Sequence, residues 1–107
     1  MDEKQELELN KEQASAFAAF SDPTRLRLIK LLASQEEDRA LCVNALAAVL
    51  GITQSAVSQH LRMLKNLGLV QGNREGYRIH YQLNPDVLQR FREMMEDALS
   101  GDDSDSL

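Results

Sequence analysis

The sequence predicts a mainly α domain with a small β-hairpin, its elements in the order α-α-α-α-β-β-α. Three observations predict it. Apolar residues recur at spacings of three and four through most of residues 11–68 and again over 86–99. Between Leu69 and Leu83 the period shortens to two. Caps and breakers fall at the joins, as Asp22-Pro23, Gly51-Ile52-Thr53 and Asn84-Pro85.

Residues 1–10 are polar and acidic, either a frayed arm or the start of the first helix. KEQASAFAAF (11–20) sets Ala14, Phe17 and Ala18 at helical spacing. Asp22 can cap the next helix and Pro23 suits its first position. TRLRLIKLLAS then places Leu26, Ile29 and Ala33 on one face, with Leu28, Leu31 and Leu32 widening it; Arg25, Arg27 and Lys30 read as solvated. Residues 34–39 read as an acidic surface turn. VNALAAVL (43–50) is a short apolar helix, Gly51-Ile52-Thr53 a three-residue turn, and QSAVSQHLRMLKNLG (54–68) a second helix, together a helix-turn-helix unit. Leu69-Val70 open a strand, Asn73-Arg74-Glu75-Gly76 supply a turn, and Tyr77, Ile79, Tyr81 and Leu83 alternate with Arg78, His80 and Gln82. Asn84-Pro85 restart a helix over 86–99. The chain thus divides into an acidic arm (1–10), a helix-turn-helix domain with a hairpin wing (11–99) and an acidic tail of disordered composition (100–107).

At 107 residues and 12.0 kDa there is room for one domain. The longest apolar run, Ala45–Leu50, falls far short of the ~20 residues of a membrane span. The acidic start Met1–Gln5 lacks the apolar stretch of a secretory signal, so a cytoplasmic protein is expected. The single cysteine, Cys42, excludes an intrachain disulfide and a four-thiolate zinc site within one chain.

The net charge of −5 hides an uneven distribution. Both ends are acidic, whereas residues 41–83 hold Arg62, Lys65, Arg74 and Arg78 against Glu75 alone. On the 54–68 helix, at ~100° per residue, Val57, Leu61, Leu64 and Leu67 form one stripe. The opposite side carries Ser55, Gln59, Arg62 and Asn66, with Gln54 leading in and Ser58 and Lys65 flanking. No acid lies on this helix, and Ser, Gln, Asn and Arg are the side chains that bond base edges and phosphates. It is read as a DNA-recognition helix. His60 falls on the shoulder of the apolar stripe; it is either a half-buried histidine satisfied by a carbonyl or a DNA contact. Arg74 and Arg78 flank the hairpin tip, within reach of a phosphate backbone. On the last helix Leu88, Phe91, Met95 and Ala98 form a stripe with Val87, Met94 and Leu99 beside it. This surface is broader than one small core needs, and it and Phe17 of the first helix are expected to pair across a two-fold axis. The Met pair is packing, not a cofactor box.

DPTRLRLIKLL (22–32), LCVNALAAVLGITQSAVSQHLRMLKNLGLV (41–70) and GYRIHYQLN (76–84) resemble the ArsR/SmtB family of winged-helix repressors. The resemblance spans about residues 11–99. It implies a homodimer joined through its first and last helices, bound to a palindromic operator in double-stranded DNA until an effector releases it. The family's S-x-H-L stretch, here Ser58-Gln59-His60-Leu61, contacts DNA, which favours the second reading of His60. The family's effector sites do not carry over. Its L-C-V-C metal motif is Leu41-Cys42-Val43-Asn44 here, helix 86–99 has no His, and neither the second nor the last helix has a Cys. No metal or cofactor is expected; Cys42 remains as a thiol effector site at a helix start. The rival reading is a winged helix for protein interaction that does not bind DNA. An enzyme is not expected, because the chain lacks a Gly-rich phosphate loop, a metal-ligand cluster and a nucleophile triad.

Overall fold

The computed structural model describes residues 1–35 and 40–101. Of the acidic turn expected at 34–39, Ser34 instead closes the second helix and Gln35 is its C-cap; residues 36–39 and the tail beyond 101 lie outside the described residues. Seven elements follow in the expected order: α1 (Glu3–Ala19), α2 (Pro23–Ser34), α3 (Val43–Leu50), α4 (Gln54–Asn66), β1 (Val70–Glu75), β2 (Arg78–Leu83) and α5 (Pro85–Ser100).

Capping chemistry sets the helix starts. Asp2 opens α1 with a capping box: Gln5 N donates to Asp2 Oδ1 at 2.7 Å and Asp2 N to Gln5 Oε1 at 3.1 Å. Residues 3–10 are therefore helical, the second of the two readings of this segment. Asp22 Oδ2 accepts from Arg25 N at 2.8 Å, Thr53 Oγ1 from Ala56 N at 3.0 Å, and Asn84 Oδ1 from Asp86 N at 3.1 Å and Val87 N at 3.3 Å. Pro23 and Pro85 occupy the first helical positions, where a missing N–H costs nothing.

The core joins all five helices and the hairpin. Leu28, Ile29 and Leu32 of α2, Leu46, Ala47 and Leu50 of α3, and Val57, Leu61 and Leu64 of α4 are buried with Leu69, Val70, Tyr81 and Phe91. On α2 the face is turned from the expected one, for Leu26 is half-buried and Ala33 exposed. On α1 it is Ala16 and Ala19 that are buried, whereas Ala14 and Phe17 are exposed. Small side chains let the α1 backbone close on its neighbours, and the larger Phe17 is left outside. α1 packs along α5, where Glu12 and Arg90 pair at 3.7 Å.

The hairpin differs from expectation at its tip. β1 and β2 pair antiparallel from Val70↔Leu83 to Glu75↔Arg78, so the turn is Gly76-Tyr77 and not 73–76. Only Gly76 supplies the positive φ, 64°, at the first central position of a II′-like turn. Asn73, Arg74 and Glu75 therefore stay in the ladder. Tyr77 leaves the apolar alternation and stands fully exposed at the tip, so Ile79, Tyr81 and Leu83 make the inward face. Opposite Tyr81 lies Gly72, where a Cβ would come within 2.8 Å of Ile79 Cγ2; the strand needs glycine there for its partner's side chains to fold over it. The free edge of β2 is also covered: Tyr81 N donates to Leu41 O at 3.2 Å. Among the described residues no helix is long and apolar enough to cross a membrane.

Candidate nucleic-acid interface

α4 is a two-faced helix. Val57, Leu61 and Leu64 anchor it in the core, and Gln54, Ser55, Ser58, Gln59, Arg62, Lys65 and Asn66 are exposed. Its sequence contains no carboxylate, so nothing on its outer side repels a phosphate. The turn before it holds its angle to α3: Gly51 and Ile52 N–H groups both donate to Ala47 O, at 2.9 and 3.2 Å, and Arg27 reaches the α3 C-terminal carbonyls of Val49 and Leu50 at 3.2 and 3.4 Å.

The hairpin continues this surface. Ser58, Arg62, Lys65 and Asn66 share a recess of about 250 Å³ with Tyr81 of β2. Arg74 and Arg78 are exposed on the two strands beside the tip. Among the described residues Arg62, Lys65, Arg74 and Arg78 make no ion pair. The one acid of the segment, Glu75, is turned onto His80, its Oε2 3.2 Å from Nδ1. Arg62 and Lys65 thus share the outer side of α4 with its amide and hydroxyl groups, and the register sets Arg74 and Arg78 on opposite faces of the hairpin beside its tip. Such a surface can bond phosphates through its cations and base edges through its amides.

His60 is not on that outer side. Its side chain is 21% exposed and turns toward the start of α2, with Nδ1 3.4 Å from Arg25 Nη1 and Nε2 3.9 Å from Asp22 Oδ2. Its partners are a guanidinium and a carboxylate, not a backbone carbonyl. Arg25, expected to be solvated, is half-buried and donates through Nε to Ala19 O at 3.0 Å and through Nη2 to Ala18 O at 2.8 Å. Sequence reading missed it because a charged residue interleaved with apolar ones, as in Arg25-Leu26-Arg27-Leu28, looks like surface. The available signal was its place three residues after a capping Asp. The Arg25 backbone N–H bond holds the Asp22 carboxyl below the ordinary aspartate range against an opposing desolvation, and the nearby Arg25 guanidinium adds to the lowering.

Cys42 is half-buried at the N-cap of α3, and its thiol caps nothing. It borders a recess of about 230 Å³ with Asn44, Tyr77, Arg78 and Tyr81. Among the described residues no three His, Cys, Asp or Glu side chains cluster as metal ligands would. Of the expected dimer-face residues, Phe17 and Ala98 are exposed, Leu88, Met94 and Met95 half-buried, and Phe91 lies in the chain's own core.

A family model described as bacterial regulatory protein, arsR family, matches residues 22–71. The chain is 38% identical over 97 residues to a Synechocystis transcriptional repressor SmtB homolog, covering 90% of this chain and 70% of that protein. It is 31% identical over 91 residues to the Bacillus subtilis transcriptional repressor SdpR, covering 85% of this chain and 97% of that one. Among solved structures, the homodimeric winged helix-turn-helix DNA-binding domain of a possible ArsR-family regulator from Mycobacterium bovis superposes with a TM-score of 0.68 at 28% identity, covering 92% of this chain and 87% of that one.

Proposed function

The chain belongs to the ArsR family of bacterial regulatory proteins and is a winged-helix transcriptional regulator, and from that premise we propose that it acts as a homodimeric repressor on a palindromic operator. Each protomer lays the outer side of α4 in the major groove. Gln54, Ser55, Ser58 and Gln59 reach base edges, Arg62 and Lys65 hold the flanking phosphates, and Arg74 and Arg78 bring the wing to the backbone. The observation that carries the reading is the acid-free outer side of α4, continuous with a hairpin whose arginines make no ion pair among the described residues. His60 supports recognition from behind this surface.

Dimerisation is supported by what α1 and α5 leave uncovered. Leu7, Phe17 and Leu99 are exposed large apolar side chains, and only Ala16 and Ala19 of α1 are buried. A single chain does not satisfy these helices, and a two-fold partner would. Release comes from an effector, and the donor set of this chain speaks against a metal in that role.

Selection of duplexes from a random-sequence pool tests the proposal. Enrichment of an inverted repeat, bound with steep salt dependence, is the expected result. A protein that enriches no sequence and retains no duplex at low salt is a protein-interaction module instead.

A further inference from the structure

Arg25 stands where three helices meet. Its own N–H donates to Asp22, the cap of α2; its Nε and Nη2 donate to the last carbonyls of α1; its Nη1 reaches Nδ1 of His60 on α4 at 3.4 Å. A guanidinium carries donors only. The bond to His60 therefore requires Nδ1 to accept, which puts the ring proton on Nε2, the nitrogen facing Asp22 Oδ2 at 3.9 Å. The circuit closes, because Asp22 is also the acceptor that holds the Arg25 backbone. Val57, Leu61 and Leu64 seat the inner side of α4 in the core, and His60, beside Gln59 and two residues from Ser58, is the point at which α4 is also tied to the start of α2.

We propose that Arg25 is a positioning residue for DNA recognition. By holding His60 in one tautomer it sets the rotation of α4, and it ties that rotation to the C-terminus of α1. The inference rests on the reading of α4 as the DNA-contacting helix. Base edges are read through directional hydrogen bonds, whereas phosphates are held by mobile Lys and Arg side chains. A small turn of α4 therefore costs sequence discrimination before it costs general DNA affinity.

The test has two arms on the full-length protein. In the first, imidazole nitrogen spectra of the free protein report the tautomer of His60. The expected result is a single Nε2–H form in the wild type and a mixture in Arg25→Lys, whose ammonium cannot reach the two carbonyls and the imidazole together. A wild-type ring protonated on Nδ1 overturns the proposal. In the second, affinity is measured for a duplex that the wild type selects from a random pool and for an unrelated duplex of equal length. Arg25→Lys and His60→Ala should each weaken the selected duplex roughly tenfold, and the double variant no further, since the two act through one contact. The unrelated duplex and the salt slope should not change. His60→Asn, whose Oδ1 takes the place of Nδ1, should keep most of the discrimination. Equal losses on both duplexes with a slope lower by about one would mean a phosphate contact; that result, additive losses or wild-type binding by the variants each overturn the proposal. Melting temperatures recorded alongside separate a folding defect from lost positioning. If no duplex is selected, the DNA reading fails and the positioning role falls with it, while an Nε2–H ring would show that the contact itself stands.

Discussion

Gln35, one residue past the end of α2, donates its side-chain amide to the Tyr81 carbonyl at 2.6 Å across 46 positions of sequence. Its Oε1 accepts from Leu41 N at 3.0 Å, and Tyr81 N donates to Leu41 O at 3.2 Å. One side chain thus ties the outer edge of the wing to the end of α2 and to Leu41, just before α3. Gln35→Ala leaves a half-buried carbonyl and an N–H without this partner, and should lower stability by about 1–2 kcal/mol. Urea unfolding measures the loss. Amide exchange should quicken over 78–83 and 40–42 while the α4 amides keep their protection.

Asp22 makes the acid limb of stability predictable in sign. Its folded pKa is lowered, first by the Arg25 N–H bond, so the native state binds fewer protons than the unfolded chain. The stability from this group is present above the unfolded value, about 3.9, and is lost as pH falls through the lowered folded value. Asp22→Asn still caps α2. It lacks the charge at every pH, so it should be less stable than the wild type near neutrality and converge with it below pH about 4, which flattens the acid limb, as read by urea midpoints across pH. An unchanged acid limb would remove Asp22 from the account.

How much of this was legible beforehand follows from particular residues. The caps Asp22, Thr53 and Asn84 and the stripe Val57-Leu61-Leu64 act within one helix, so spacing alone located α2, α4 and α5 and the outer side of α4. The β1–β2 turn was misplaced because Asn73, Arg74 and Glu75 have turn-forming composition, yet Gly76 alone supplies the positive φ. On α1, alanines surround Phe17, and periodicity cannot say whether the large or the small side chains face inward. Arg25 and Gln35 were missed for a different reason. Their partners lie at His60 and Tyr81, and contacts of such span arise only once the helices have packed.

Dimerisation has a direct size test. Sedimentation at micromolar concentration should give a species of about 24 kDa, twice the chain mass of 12.0 kDa. Phe17→Glu would place a charge in the proposed interface and should shift the distribution toward monomer with little loss of fold, since Phe17 is exposed within one chain. A wild-type protein that sediments as a clean monomer contradicts the proposal.

A metal effector is not expected, by ligand count. Two Cys42 thiols in a dimer supply two sulfurs, one short of the three that arsenite takes, and zinc would need two further donors from a region without His. Titrating the protein–duplex complex with zinc, cadmium and arsenite should give no stoichiometric release in the wild type or in Cys42→Ser. Tight release in the wild type that Cys42→Ser abolishes would establish a site the donor count does not foresee.

The central claim is that the outer side of α4 reads base sequence while the wing holds backbone. It is tested by comparing Gln59→Ala with Arg78→Ala on the selected duplex, on single-base variants of it and on unrelated DNA. Gln59→Ala should lose about 1–3 kcal/mol on the selected duplex and its discrimination at one base position, with unrelated DNA bound as before. Arg78→Ala should weaken all duplexes alike and lower the salt slope by about one per protomer. Uniform loss from Gln59→Ala, or wild-type binding by both variants, would contradict the account.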